Sequence, residues 1–154
     1  MEGQEWLERI YQAYGTDIYR FALSVLHHPQ CAEDVMQDTF LKAWSSRTNA
    51  PKGAEKAWLF RIARNTAYDL LRKDGRECSL DLVAEQAGES AMSARELIVL
   101  IDGLKKPDCD IVRLKILGGL THSEIAQVLH MSVHSVKKRY ERSIHTLRQV
   151  YEEG

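Results

Sequence analysis

Residues 121–148 read THSEIAQVLHMSVHSVKKRYERSIHTLR, and this stretch carries the start signals of two helices joined by a short turn. Thr121 and Glu124 form a capping box, which predicts the start of the first helix. Ser132 ends the intervening three-residue turn and is placed to cap the second helix. The apolar residues of the second helix recur at the helical period, and they are Val133, Val136, Tyr140, Ile144 and Leu147. The stretch therefore predicts a helix-turn-helix.

The remaining positions of the second helix are polar and mostly cationic. Between Ser132 and Arg148, five Lys and Arg residues stand against the single carboxylate of Glu141. A charged helix face is most often only a solvated surface, and that alternative applies to any lone basic helix. Behind a short helix and a tight turn, however, such a face lies where a helix-turn-helix contacts the major groove of DNA. This segment therefore predicts a protein that binds DNA.

Charge is unevenly distributed along the 154 residues, although the formal net charge is only −1. Residues 1–46 contain seven acids against three bases, whereas residues 52–76 contain seven bases against three acids. Residues 105–148 return to nine bases against four acids. Two basic segments in a nearly neutral chain predict two nucleic-acid surfaces rather than one.

The N-terminal part of the chain is predicted to be helical. Apolar periodicity between Trp6 and Val25 indicates an amphipathic helix that Pro29 ends, with an interruption at Gly15 and Thr16. A second helix is predicted over residues 32–44, with its apolar residues facing inward. Its outer positions are polar or acidic, and they are Glu33, Asp34, Gln37, Asp38 and Lys42.

A helix predicted over residues 54–73 has a second face besides its ordinary core stripe. Two aromatics, an amide and two guanidinium groups recur there at helical spacing and form what we call the aromatic ridge: Trp58, Arg61, Asn65, Tyr68 and Arg72. Aromatic rings stack on unpaired bases and arginines follow phosphates, so the ridge suits single-stranded nucleic acid. The alternative is that Trp58 and Tyr68 are half-buried packing residues beside solvated arginines.

Helical periodicity fades after residue 74, where glycines and acids dominate. Residues 76–93 are interpreted as an acidic linker. Beyond it, Ser93 and Glu96 form another capping box that predicts a helix through Leu104. A further helix is predicted from Pro107 to Leu117. The chain is therefore expected to be all-α, with two small helical domains at residues 1–75 and 94–154.

Cysteine spacing and hydropathy exclude several classes of protein. Cys31, Cys78 and Cys109 form no CxxC pair, so neither a disulfide framework nor a zinc knuckle is indicated. His27, His28 and Cys31 have metal-ligand spacing without an evident fourth ligand, so a helix end with exposed histidines is the preferred interpretation. No apolar run reaches membrane-spanning length, and the N-terminus lacks the pattern of a signal peptide. A cytoplasmic protein with reduced thiols is expected.

Three segments together resemble the extracytoplasmic-function (ECF) sigma factors, the smallest members of the bacterial sigma-70 class. AEDVMQDTFLKAW, residues 32–44, is similar to the region 2.2 helix of that family. AWLFRIARNTAYDLLRK, residues 57–73, is similar to the helix of regions 2.3 and 2.4. Residues 110–148 resemble region 4. The segments occur in the family's order without a region 3 between them, so the resemblance covers nearly the whole chain.

The resemblance implies a role for each segment of the N-terminal half. The acidic outer face of residues 32–44 would dock on the clamp-helix coiled coil of the RNA polymerase β′ subunit, through Glu33, Asp34, Gln37 and Asp38. The loop over residues 47–56 would capture a flipped base of the −10 element, and the aromatic ridge would hold the melted non-template strand. The implied −10 contacts are Asn49, Lys52, Lys56, Trp58, Arg61, Asn65, Tyr68 and Arg72.

The resemblance also implies that the second helix of the helix-turn-helix reads the −35 element. Its first candidates for contacts are Lys137, Lys138 and Arg142, and its second candidates are His134, Ser135 and Arg139. The implied partners are bacterial core RNA polymerase, through the β′ clamp helices and the β flap, promoter DNA and an anti-sigma factor, often membrane-bound. Neither a cofactor nor a small-molecule substrate is implied.

Catalysis finds no support in the sequence, because no phosphate-binding glycine loop, metal pair or nucleophile-plus-base arrangement is present. Two other classes of protein compete with the sigma factor. A dimeric helix-turn-helix regulator would explain residues 121–148 but not the acidic helix or the aromatic ridge. A helical adaptor or anti-sigma-like module would leave the cationic recognition helix unexplained.

Overall fold

The computed structural model describes residues 2–74 and 94–153, and within these ranges every regular element is helical. The α-helices are α1 Glu2–Leu26, α2 Pro29–Ser45, α3 Glu55–Asp74, α4 Ala94–Asp102, α5 Asp108–Val112, α6 His122–Leu129 and α7 Val133–Glu153. A 3₁₀ turn lies at Arg47–Asn49, and a π-helical turn at Arg113–Leu117 continues α5. The all-α prediction is confirmed. The predicted linker and the capping residue Ser93 lie outside the described residues.

The first helix is continuous, so the predicted interruption at Gly15 and Thr16 is wrong. Gly15 is buried, and a methyl group added to it would lie 4.0 Å from the Phe40 ring. The ring of Tyr11, one turn earlier, is 5.0 Å from that of Phe40. A glycine inside a helix costs about 1 kcal/mol relative to alanine. Burial of the apolar face of α1 against α2 offsets that cost.

The helix-turn-helix forms as its sequence predicts. The Oγ1 of Thr121 accepts a hydrogen bond from the Glu124 amide at 3.1 Å, and Glu124 Oε1 accepts one from the Thr121 amide at 2.8 Å. His130 adopts a left-handed conformation with φ 57°, which ends α6. Ser132 Oγ then accepts a hydrogen bond from the Ser135 amide at 3.1 Å, which caps α7. Local capping chemistry therefore sets both helix starts.

The two predicted helical units are both present, but they share one hydrophobic core. Phe21 from α1 and Phe60 from α3 are fully buried in the same cluster as Leu114 and Ile125 from the C-terminal unit. The close approach requires Gly118, because a methyl group there would lie only 3.0 Å from Cε1 of Phe60. Helix α6 packs directly against α3. The structure therefore differs from two bundles that each bury their own core.

A second, smaller cluster holds the C-terminal unit together. Ile101 from α4, Val112 from α5 and Leu147 from α7 are buried against one another. This cluster positions α7 so that its opposite face points to solvent.

Candidate nucleic-acid interface

The outer face of α7 is exposed and cationic. Val136 is fully buried and anchors the first turn of the helix, while His134, Lys137 and Lys138 are exposed on its other side. Arg142 continues this exposed row one turn later. An open cavity of about 740 Å³ runs along the same face and is lined by Lys138, Glu141, Arg142, His145 and Thr146. The position of Lys138 and Arg142 on this face suits contacts with DNA phosphates and base edges.

Arg139 and Ser135, the other two residues predicted on this face, have structural partners instead. Arg139 Nη1 donates a hydrogen bond to Asp108 Oδ1 at 3.1 Å, and this contact ties α7 to α5. Ser135 is partly buried, and its amide is the donor to the helix cap. Arg139 therefore orients the recognition helix within the C-terminal unit.

His122, which sequence reasoning did not single out, lies between the cationic face and the core. Its ring is 5.5 Å from that of Tyr140. Burial lowers the pKa of His122, and the charges of Lys115 and Lys137 lower it further. The lowered pKa favours the neutral imidazole between α6 and α7.

The outer face of α2 is acidic and exposed. Glu33, Asp34, Gln37 and Asp38 are all accessible, as their predicted role requires. Beside them a groove of about 360 Å³ runs between α2 and α3, with Val35 and Leu70 among its apolar lining residues. Leu41 also lines the groove and is 65% exposed, although sequence reasoning assigned it no role. An exposed leucine within an acidic rim is suited to a partner helix with both apolar and basic residues.

The loop before α3 borders a second cavity, with a volume of about 460 Å³. Its lining residues are Gly3, Trp6, Arg9, Arg47, Ala50, Lys52, Gly53 and Glu55. The three tryptophans of the chain lie around this region: the Trp6 and Trp58 rings are 6.2 Å apart, and the Arg47 guanidinium is 4.0 Å from the Trp44 ring. Asn49 and Lys52 are exposed on the loop.

The carboxylate of Glu55 is held at the edge of this cavity. Arg9 Nη2 donates to both of its oxygens at 3.0 Å, and Trp6 Nε1 also donates to it. Burial acts to raise the pKa of Glu55, but the two hydrogen-bonding partners and the charge of Arg9 outweigh it, and the pKa is lowered. Sequence reasoning missed this cluster, because its members lie on different helices.

The aromatic ridge does not form one accessible surface. Trp58 is partly buried, since it packs toward Trp6 on α1. Asn65 and Arg72 are exposed, and Arg72 forms an ion pair with Asp69. For Trp58 the structure thus matches the packing alternative that the sequence left open.

Arg61 and Tyr68, the other two members of the ridge, contact the C-terminal unit. Arg61 Nη2 donates to the Gln127 carbonyl oxygen at 2.7 Å. The Tyr68 hydroxyl donates to Asp110, whose side chain has no solvent exposure. The prediction that these residues lie open to a nucleic-acid strand therefore differs from the structure.

Arg64 and Asp110 are central to this contact, and sequence reasoning gave neither a role. Arg64 donates to Asp110 Oδ2 from Nε at 3.1 Å and from Nη2 at 2.8 Å. Arg64 lies three residues after Arg61 and four before Tyr68, so the three side chains share one side of α3. The helical spacing could have identified Arg64 as a member of this face. It could not have identified Asp110, which lies 46 positions from Arg64 along the chain.

Of the two histidines between α1 and α2, His28 caps α2 and His27 contacts the C-terminal unit. His28 Nδ1 accepts a hydrogen bond from the Cys31 amide at 3.4 Å, and His27 Nε2 lies 2.8 Å from Asp102 Oδ2. Both histidines are partly buried, so their predicted exposure is wrong.

Cys109 is a buried thiol, and burial raises its pKa. Across residues 2–74 and 94–153, no cluster of His, Cys, Asp and Glu has an arrangement that could bind a metal ion.

In the part of the chain that the structure describes, no helix has the length and apolar character needed to cross a membrane.

Comparison with known protein families matches both helical units. The family Sigma-70 region 2 matches residues 10–77, and the family Sigma-70, region 4 matches residues 94–147. The two matches occur in tandem and together span most of the chain.

Curated relatives and solved structures agree with these matches. The chain is 29% identical over 157 residues to the ECF RNA polymerase sigma factor SigM of Bacillus subtilis, covering 96% of each protein. It is 32% identical over 124 residues to the ferric citrate uptake sigma factor FecI of Escherichia coli, covering 73% of this chain and 72% of that protein.

Two solved structures have a similar fold. CnrH in complex with the cytosolic domain of CnrY has a TM-score of 0.74 at 25% identity, over 97% of this chain and 90% of that one. The sigma factor RpoE in complex with the anti-sigma factor NepR, from Bartonella quintana, has a TM-score of 0.78 at 22% identity, over 94% and 96% of the two chains.

Proposed function

The chain belongs to the ECF sigma factors of the sigma-70 family and is an RNA polymerase sigma factor, and we propose which of its surfaces perform each step of that function. The matched regions favour this function over a dimeric helix-turn-helix regulator, because both are sigma regions and they occur in tandem. We propose residues 1–75 as the unit for polymerase and −10 binding, residues 94–154 as the unit for −35 binding, and residues 76–93 as their linker.

Polymerase docking is assigned to the acidic face of α2. Asp34 and Asp38 are exposed on it, and Leu41 adds an apolar contact in the adjoining groove. Complementary charge steers two proteins together and fixes their orientation, while an apolar anchor supplies affinity. The β′ clamp helices are the proposed partner of this face, and the β flap is the proposed partner of the C-terminal unit.

Recognition of the −10 element is assigned to the loop and to α3. Asn49 and Lys52 are exposed beside the cavity that contains Trp6 and Arg9. Extrusion of a base from the duplex costs a few kcal/mol, so a pocket that accepts only a flipped base couples recognition to strand opening. Lys56 and the aromatic ridge are proposed to hold the strand that leaves this pocket: Trp58, Arg61, Asn65, Tyr68 and Arg72.

Recognition of the −35 element is assigned to the exposed face of α7. The observation that carries this assignment is the capped helix-turn-helix, which holds Lys137, Lys138 and Arg142 outward on one rigid helix. His134 and Ser135 lie at the N-terminal end of the helix, which a helix-turn-helix points toward base edges.

The function is tested by transcription with purified components. The protein is combined with bacterial core RNA polymerase and a library of templates with randomised upstream sequence, and the run-off transcripts are sequenced. Enrichment of two spaced sequence elements, absent with core enzyme alone, is expected. Transcripts with no common upstream elements would contradict promoter recognition by this chain.

Loss of the cationic side chains of α7 is expected to weaken promoter binding. Lys138→Ala and Arg142→Ala should each reduce affinity for the duplex recovered in the transcription experiment. A phosphate contact would lower the slope of log K against log salt by about one unit, whereas a base contact would cost about 1 to 3 kcal/mol at one position. Fluorescence anisotropy over a series of salt concentrations measures both effects.

Arg148→Ala is the matched control, because Arg148 is exposed on the same helix but lies beyond the residues proposed to reach the DNA. Its affinity and salt slope should remain close to those of the wild type. Equal losses in all three variants would indicate a general charge effect and would contradict the assigned contacts.

An anti-sigma factor is the proposed regulatory partner. RpoE, whose fold this chain shares, is bound to the anti-sigma factor NepR in its structure. A membrane-bound anti-sigma factor would hold this chain at the membrane until it is released.

A further inference from the structure

One side of α3 is covered by the C-terminal unit through hydrogen bonds as well as apolar packing. Cationic and hydroxyl groups along about three turns of α3 donate to oxygen atoms of that unit. The pairs are Lys56 Nζ with Gly119 O at 2.8 Å, Arg61 with Gln127 O at 2.7 Å, Arg64 with Asp110 Oδ2 at 2.8 Å, and the Tyr68 hydroxyl with Asp110. Three of the groups proposed to hold a nucleic-acid strand, Lys56, Arg61 and Tyr68, therefore already have acceptors in the C-terminal unit.

Asp110 is the anionic member of these acceptors. Its side chain is fully buried and accepts hydrogen bonds from the forked guanidinium of Arg64 and from Tyr68. Arg113, which is 8% exposed, lies 3.5 Å from its second oxygen and also pairs with Asp102. An oxyanion held by guanidinium and hydroxyl donors matches the way proteins hold a phosphate group. The Asp110 carboxylate therefore offers these donors the same kind of oxyanion acceptor that a phosphate would.

The ring of Tyr68 is covered as well. Lys106 Nζ lies 4.2 Å from its centroid, and the Arg64 guanidinium lies 5.1 Å from it. Burial raises the pKa of the Tyr68 phenol, and the charge of Asp110 raises it further, so the hydroxyl remains a donor. A base cannot stack on this ring while Lys106 occupies its face.

The cover is selective, because the other two proposed surfaces are open in the same structure. Lys137, Lys138 and Arg142 on α7 are exposed, and so are Asp34 and Asp38 on α2. This form therefore has its polymerase-docking and −35 faces accessible, while Lys56, Arg61, Arg64 and Tyr68 on α3 are covered.

We propose that the C-terminal unit masks the strand-binding side of α3, with Asp110 as the latch, and that Arg64 is a phosphate contact available only after the units separate. This masking rests on the proposed role of α3 in holding the melted strand. Separation also exposes apolar side chains such as Phe60 and Ile125, which are buried in the shared core. Exposure of apolar surface is unfavourable, so the open form is a minor population of the isolated protein and its apparent strand affinity falls in proportion.

The test uses the full chain and two fluorescent probes: an oligothymidylate of about 12 nucleotides, within the usual site size for single strands, and a duplex of about two helical turns. Asp110→Asn keeps the shape of the latch but removes its charge. We expect it to raise affinity for the oligothymidylate about 10-fold, equivalent to about 1.4 kcal/mol, and to leave duplex affinity unchanged. Adding Arg64→Gln to Asp110→Asn should remove much of that gain.

Asp108→Asn is the matched control. Asp108 lies on the same helix and carries the same charge, but its partner is Arg139 and not a residue of α3. If Asp110→Asn does not fold, as judged by circular dichroism, Arg113→Lys replaces it. Arg113 Nη1 donates to the Tyr68 hydroxyl at 3.2 Å across the same contact, and a lysine keeps the charge but loses the forked geometry. It should raise oligothymidylate affinity in the same direction.

Small-angle scattering on the same variants separates the possible failures. Unchanged compactness together with unchanged oligothymidylate affinity would overturn the latch, and so would an equal gain in Asp108→Asn. A more expanded Asp110→Asn protein without any gain in affinity would instead overturn the strand-binding role of α3. A gain that persists with Arg64→Gln would remove Arg64 from the proposed contacts.

Discussion

Asp34→Lys combined with Asp38→Lys is expected to abolish association with core RNA polymerase while helix content stays unchanged. Both carboxylates are exposed on α2, and the nearest cation, Lys42, lies 3.6 Å from Asp38. Reversing two charges at an interface replaces attraction by like-charge repulsion, which costs several kcal/mol. Gel filtration with core enzyme measures association, run-off transcription measures the consequence, and circular dichroism measures helix content.

Glu5→Lys combined with Glu8→Lys is the matched control, because it changes the net charge equally at exposed acids of α1. This variant should bind core enzyme as the wild type does. Transcription at the wild-type level by the α2 variant would show that the docking face lies elsewhere. Equal losses in both variants would point to overall charge rather than to α2.

Phe60→Ala is expected to lower the free energy of unfolding by about 3 to 5 kcal/mol, the usual cost of removing a buried aromatic ring. The ring has no exposure and lies 6.0 Å from that of Phe21 in an edge-to-face arrangement. Its Cε1 atom is also 3.0 Å from the position of a methyl group on Gly118, so both helical units pack against it. The loss is a large part of the 5 to 15 kcal/mol that stabilises a typical domain.

Urea unfolding followed by circular dichroism measures this loss, with Leu41→Ala as the control. Leu41 is 65% exposed, so its truncation should change the free energy of unfolding by less than about 0.5 kcal/mol. A wild-type protein with one shared core should unfold in a single transition. A loss below about 1 kcal/mol in Phe60→Ala would contradict the packing of the two units through this ring.

The selective cover of α3 has a consequence for the order of events in initiation. The proposed docking through Asp34 and Asp38 and the proposed −35 contact through Lys138 would require no rearrangement, because these side chains are already exposed. The proposed strand capture by α3 would require the Arg64–Asp110 pair to break. A partner that favours the open form supplies the differential binding that such a change needs. Release of α3 would therefore follow docking.

Features that depend only on neighbours along the chain could be predicted from the sequence. Three such features are the capping box of Thr121 and Glu124, the cap at Ser132 and the periodicity of α7. Each depends on residues a few positions apart, so the local sequence is sufficient to predict both helix starts. Exposed charges on α2 and α7 followed from the same periodicity. The family resemblance, which the comparisons confirm, rested on equally local motifs.

Which side chains face another helix could not be predicted in this way, because it depends on how distant segments pack. Periodicity places Arg61, Arg64 and Tyr68 on one side of α3 but does not show that Asp110, 46 positions from Arg64, lies opposite them. Tertiary packing also explains why α1 continues through Gly15. The packing of α1 on α2 outweighs the cost of about 1 kcal/mol that a glycine brings to a helix. The burial of a side chain and its hydrogen-bond partners depend on contacts between segments that are distant in the sequence. The free energy of those contacts depends on the packing of the whole core.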